Sequence, residues 1–210
     1  MTVWNDFLAH TLADKQAQDN ERSLTPMARD GLYAEVNGQR LLNLAGNDYL
    51  ALGTRSDWQR EFRQQLTAQG QYWSSSSSQL LTGHSPLHQQ LEATLARLFQ
   101  REAALTFASG YQMNFGLLNA LSAGKVLILA DKLVHASMVD GLLISKATFL
   151  RYRHNDMAHL HALLCQHHAA FERIIIVTES VFSMDGDIAD LQQLVAFKRE
   201  FANVAVYVDE

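Results

Sequence analysis

A chain of 210 residues, 48% hydrophobic and 19% charged, has enough apolar material to build a sizeable core, which excludes disorder as its main state. Its 17 Lys and Arg stand against 22 Asp and Glu, and the net charge of -5 offers no bulk basic surface to a phosphate backbone. The start, MTVWNDFLAH, lacks the basic-then-apolar layout of a signal peptide, no run of about 18 apolar residues is present, and the single Cys165 forms neither an internal disulfide nor a cysteine-built zinc site, so a cytoplasmic protein is expected.

In chain order, Trp4, Phe7, Leu8 and Leu12 predict a short helix, followed by an extended arm within the polar first 30 residues. Leu32 to Val36 and Arg40 to Leu44 then flank Asn37-Gly38, the pair best suited to the positive φ angles of a two-residue hairpin turn. From residue 56, Trp58, Phe62 and Leu66 recur at helical spacing, as do Leu87, Leu91 and Leu95. Ser85 and Pro86 read as the N-cap and first-turn residue of the second helix. The run Ser74 to Ser78 between them reads as a solvated linker, or as a loop whose hydroxyls meet an anion.

The second half changes character. Ala104 to Phe107, Val126 to Ala130, Ile174 to Val177 and Val204 to Val208 are short apolar runs separated by helical stretches. Runs apolar on both faces predict a mostly parallel sheet covered by helices on both sides, an α/β architecture with right-handed crossovers. In such sheets ligands bind beyond the carboxyl ends of the strands. Three of these runs are followed at once or within one residue by an acid: Asp131, Glu179 and Asp209. The remaining run leads into Ser109-Gly110-Tyr111, where a glycine and a following helix can bring free amides to a phosphate.

Each candidate also has a plainer reading. Asp131 suits a helix N-cap, His135 an ordinary hydrogen-bonded histidine, and the segment Thr178 to Asp187 a strand-to-helix loop, although its acids, hydroxyls and Phe182 equally suit a ligand loop. The histidines at 154, 159, 161, 167 and 168 share no helix face at metal-ligand spacing, so no metal site is predicted. A GxSxG nucleophile elbow and a P-loop are both missing from the sequence.

Taken together and in order, Gly46-Asn-Asp-Tyr-Leu50, Leu81-Thr-Gly-His-Ser-Pro-Leu-His88, Ser109-Gly-Tyr111, Asp131 to Ser137 (DKLVHAS), Glu179 to Asp187 (ESVFSMDGD) and Val208-Asp-Glu210 resemble the α-oxoamine synthase family of fold-type I pyridoxal-phosphate enzymes. The resemblance implies a pyridoxal 5'-phosphate cofactor and decarboxylative condensation of an amino acid with an acyl thioester. The TESVFSMDGD, serine-run and RYRHND segments point within the family to L-alanine and a pimeloyl group on coenzyme A or on an acyl carrier protein. By the same resemblance Asp209 pairs with the pyridine nitrogen, His135 stacks on the cofactor ring and meets the substrate, Gly110, Tyr111 and Ser183 contact the cofactor, and Arg22 contacts the substrate. A homodimer, with no nucleic-acid or membrane partner, is expected.

The resemblance also implies a division into an N-terminal arm with hairpin over residues 1–50 and the first part of the large cofactor-binding domain over residues 51–210, incomplete at its C-terminus. The lysine that carries the cofactor as a Schiff base then lies outside this sequence. Of Lys15, Lys125, Lys132, Lys146 and Lys198, Lys132 is nearest the site but lacks the fixed, dry setting such a residue needs. The loop before Leu80 departs from the family's glycine-rich pattern. A related synthase using glycine or serine, or a non-catalytic module binding phosphate-bearing ligands, remains open at this point.

Overall fold

The structure, a computed structural model, describes residues 2–70 and 74–210. The chain divides into two compact units, Met1–Gly83 and His84–Glu210. Among the described residues no helix is long and apolar enough to cross a membrane.

The first unit opens with helix α1 (Val3–Ala17), whose Thr2 hydroxyl accepts the Asn5 amide. The helix is longer than the apolar spacing suggests, and the arm that follows has no regular structure from residue 20 to 27. The hairpin is present as β2 (Tyr33–Val36) and β3 (Gln39–Leu42), with Asn37 at φ 51 and Gly38 at φ 76 as the primed turn requires. A further strand, β1 (Ala28–Asp30), pairs with β2 and makes a three-stranded antiparallel sheet. Helix α2 (Ser56–Ala68) follows, with Leu66 buried. Ser75 uses its hydroxyl inside the unit, donating to the Gly83 carbonyl at 2.7 Å.

The second unit begins with α3 (Pro86–Leu98), where Ser85 is the N-cap and His88 Nδ1 closes a capping box by accepting the Ser85 amide at 3.2 Å. Then come α4 (Gly110–Leu121), β4 (Val126–Asp131), α5 (Ala136–Ile144), β5 (Thr148–Tyr152), α6 (Met157–His167), β6 (Arg173–Glu179), α7 (Leu191–Glu200) and β7 (Val204–Asp209). The four strands are all parallel, in the order β5-β4-β6-β7. Side chains alternate across the sheet and feed two cores. Leu127, Leu129, Ile174 and Ile176 pack with Leu160 and Leu164 of α6 and Leu194 and Phe197 of α7. Ile128, Ala130, Ile175 and Val177 pack on the other face with Leu118 of α4 and Met138 and Leu142 of α5. Helices therefore cover both faces, as the apolar runs imply.

Two elements differ from the sequence reading. Ala104 to Phe107 forms no strand; the Thr106 amide and hydroxyl instead donate to Glu92 Oε1 at 2.9 and 2.8 Å, and that carboxylate takes the place of a ladder partner. Strand β5 went unread because it is a half-exposed edge strand that includes Arg151, so it shows no continuous apolar run. Strand β7 pairs with β6 alone among the described residues.

Helices α4 and α5 approach closely at Gly141. A Cβ there would lie 2.9 Å from the Asn114 carbonyl oxygen, 3.2 Å from Phe115 Cα and 3.3 Å from Leu118 Cβ, none of which can swing aside. Gly141→Ala is expected to lower stability by about 1–3 kcal/mol in urea unfolding, through overpacking. A midpoint unchanged from wild type would show that the two helices separate freely.

Candidate functional site

Strands β4, β6 and β7 end in Asp131, Glu179 and Asp209 at one edge of the sheet. Glu179 and Asp209 are register partners, which sets two carboxylates side by side. Each is met by donors from a neighbouring element, because a buried carboxylate without them is costly.

Asp209 Oδ2 accepts Asn114 Nδ2 at 2.9 Å. Asn114 lies one turn into α4 and is 1% exposed. Its amide also donates to Ser137 Oγ at 3.0 Å, and its carbonyl oxygen accepts the Tyr207 hydroxyl at 2.6 Å. Burial and then the charge of Asp209 push the Tyr207 phenol up to about 12, so it stays a donor. Ser137 Oγ lies 2.8 Å from His135 Nδ1, and His135 caps α5 by accepting the Ser137 amide on that same nitrogen at 3.2 Å. The His135 amide donates in turn to Glu179 Oε1 at 2.5 Å.

Glu179 also has the Ser183 backbone as a neighbour that favours its charged form. Burial pushes this carboxyl above its ordinary value; the His135 amide opposes the rise and the neighbouring Asp209 charge adds to it. One continuous set of hydrogen bonds thus joins Asp209, Asn114, Ser137, His135 and Glu179. Helix α4 brings Gly110 and Tyr111 to the same set, since Asn114 follows them by one turn. Ser109 caps that helix by accepting the Gln112 amide at 3.2 Å, and its first amides lie ahead of any intrahelical partner. A Cβ on Gly110 would meet no atom within 4 Å, so the space before the helix is open. The Tyr111 hydroxyl donates to Asp140 of α5, which raises the phenol above its ordinary value.

Asp131 is not a helix N-cap: His135 fills that position for α5. Fully buried, Asp131 accepts the Leu133 amide at 2.8 Å, His154 Nδ1 at 2.8 Å and the Asn155 amide at 2.9 Å. His154 Nε2 lies 2.6 Å from Asp187 Oδ2, and its ring meets Phe182 edge-on at 4.5 Å. Asn155, at φ 50, donates its side-chain amide to Asp187 Oδ2 and to the Ile188 carbonyl, both at 3.0 Å. The imidazole therefore clips the loop that carries Ser183 to the end of β4. Burial pushes His154 down, but the bonds to Asp131 and Asp187 outweigh it and leave the ring above its ordinary value. For Asp187 burial pushes up, and the bond from His154 prevails and lowers it.

Arg22 belongs to the first unit, exposed in the segment between α1 and β1. Lys132 is exposed just beyond β4, with its carbonyl accepting from Arg151. Sequence reasoning missed Asn114, Ser137, His154 and Asn155 as parts of the site. Ser137 closes the DKLVHAS motif and His154-Asn155 open the turn after β5, so their proximity to strand ends was the available signal; a lone helical asparagine such as Asn114 carries none.

The aminotransferase class I and II family matches residues 39–210. A curated relative from Neisseria gonorrhoeae, named provisionally as an 8-amino-7-oxononanoate synthase, is 50% identical over 194 residues, which is 92% of this chain and 51% of the relative. Serine palmitoyltransferase from Sphingomonas wittichii superposes with a TM-score of 0.84 at 27% identity, over 100% of this chain and 53% of that one. The S. paucimobilis serine palmitoyltransferase with PLP and myriocin bound gives 0.83 at 24%, over 100% and 55%. The chain spans about half the length of the curated relatives it matches.

The clip predicts a pH dependence of stability. A raised imidazole contributes fully below the ordinary histidine value of 6.5 and loses its contribution as the pH climbs through the raised value. The lowered Asp187 contributes above its ordinary 3.8 and loses that as the pH falls through the lowered value. Between pH 6 and pH 8.5 the wild-type urea midpoint should fall relative to His154→Gln, which lacks the titration; parallel pH profiles would refute the clip.

Proposed function

Because the chain belongs to the aminotransferase class I and II family, we propose that the unit His84–Glu210 supplies the cofactor pocket of an α-oxoamine synthase that condenses L-alanine with a pimeloyl thioester to 8-amino-7-oxononanoate, with loss of carbon dioxide. The cofactor is pyridoxal 5'-phosphate, which when bound supplies an electron sink for charge developing at the amino acid's Cα. The observation that carries the reading is the strand-end carboxylate of Asp209, held by Asn114 from the first turns of the helix that opens at Gly110.

The residues present fit that cofactor. An anionic strand end suits a ring cation, and the open helix start at Gly110 and Tyr111 suits a phosphate. Asp209 takes the pyridine nitrogen. His135 would lie against the ring and meet the substrate, and Ser183 would contact the cofactor. Arg22 is assigned to the acidic acyl substrate, where a fixed guanidinium suits a carboxylate. The lysine that holds the cofactor lies outside these 210 residues, and the assembly is a cytoplasmic homodimer that draws its acyl group from coenzyme A or a carrier protein.

A second reading is a serine-using synthase, favoured by the overlay on serine palmitoyltransferase at 27% identity. The 50% identity to the N. gonorrhoeae relative supports taking alanine and the pimeloyl group as the first reading.

Two measurements test the proposal. The chain should bind pyridoxal phosphate in a fluorescence titration, with Asp209→Ala weakening it roughly tenfold or more, the loss expected for one charge-assisted hydrogen bond. Borohydride followed by intact mass should then show no adduct specific to Lys15, Lys125, Lys132, Lys146 or Lys198; a single modified lysine would move the cofactor-holding role into this chain. Profiling the enzyme that carries this sequence with alanine, glycine and serine, each against pimeloyl thioester, separates the two readings. Faster turnover with serine would overturn the alanine assignment.

A further inference from the structure

His135 sits at the junction of two hydrogen-bond paths, and their directions can be followed from the one group that only accepts. The carboxylate of Asp209 requires the amide nitrogen of Asn114, at 2.9 Å, as its donor. That choice turns the Asn114 carbonyl oxygen to the Tyr207 hydroxyl, at 2.6 Å, and sends the second amide proton to Ser137 Oγ, at 3.0 Å. The Ser137 hydroxyl keeps its own proton, which it can direct to His135 Nδ1, at 2.8 Å. The Ser137 amide approaches the same nitrogen at 3.2 Å. A ring nitrogen that accepts two donors carries no proton.

We propose that Asn114 and Ser137 are positioning residues that hold His135 as its Nε2–H tautomer, so that the ring presents a fixed N–H donor on the side away from α5. Asn114 and Ser137 are each 1% exposed, whereas His135 is exposed. The buried pair is therefore shielded from competing water, while the donor it orients stays open to a ligand. In the function proposed above that donor serves an oxygen of the substrate or cofactor, and this use of it rests on that reading. A flipped tautomer would present a bare nitrogen to the same oxygen, turning an attraction into a repulsion between lone pairs. The specificity carried by His135 is thus set three bonds away, at Asp209.

Long-range 1H–15N spectra of the 15N-labelled 210-residue chain test this directly, with His135→Gln identifying the His135 signals. The wild-type ring should show a protonated Nε2 and an accepting Nδ1. Ser137→Ala and Asn114→Asp should each raise the Nδ1–H population roughly fivefold, the bias that one neutral hydrogen bond supplies. Ser137→Thr, which restores the hydroxyl, should return the wild-type pattern. A wild-type ring protonated at Nδ1 would overturn the proposal. So would an unchanged tautomer in both Ser137→Ala and Asn114→Asp when their amide spectra remain dispersed. Titration with pyridoxal phosphate keeps the two ideas apart: tautomer shifts as expected without cofactor binding would sink the functional reading and leave the positioning pair standing, while binding without the tautomer pattern would do the reverse.

Discussion

The site depends on a single requirement, that carboxylates ending the strands of a covered parallel sheet must find donors. Water is scarce at these positions, and an unpaired charge there costs several kcal/mol. Asp131 is supplied by the amides of Leu133 and Asn155 and by His154, Glu179 by the amide of His135, and Asp209 by Asn114. Satisfying these acids fixes the loops that follow the strands. The left-handed backbone of Asn155 and the bridge between Val181 and Ile188 belong to that solution. The placing of His135 follows from it.

The arrangement also concentrates negative charge. Glu179 and Asp209 are neighbours in register, and the charge of Asp209 adds to the burial that already raises the Glu179 carboxyl and the Tyr207 phenol. A cation placed there would relieve the repulsion, which is the electrostatic complement of a protonated pyridine ring. The buried amide of Asn114 separates part of this charge from the hydroxyl network that reaches His135, so one side chain serves both the anionic and the neutral parts of the site.

Much of this was legible in the sequence where a residue's chemistry permits few alternatives. Asn37-Gly38 announced its turn, Ser85-Pro86 its helix start, and Val126 to Ala130, Ile174 to Val177 and Val204 to Val208 their strands. The acids at strand ends were legible too, since a covered sheet has little other reason to end in charge. What failed did so for physical reasons. Ala104 to Phe107 has the composition of a strand, but Glu92 from a distant turn of α3 takes its backbone donor. Strand β5 is only half buried, so it carries no apolar signature. Asn114, Ser137 and His154 act through partners 95, 23 and 33 residues away, and no local pattern encodes a partner at that distance.

The long reach of the bond between Asn114 and Asp209 bears on how the site comes into being. It closes a loop of 95 residues, and all four strands of the sheet are parallel, so the chain must complete several crossovers before β7 docks beside β6. Helix α4 and strand β4 are made early in synthesis, yet the amide of Asn114 has no carboxylate to meet until β7 emerges and settles beside β6. Until then the buried amide and the Ser137 hydroxyl lack their organising charge. The network that reaches His135 therefore gains its organising charge only once β7 has docked, and a polypeptide interrupted before residue 209 would lack the carboxylate that orients Asn114.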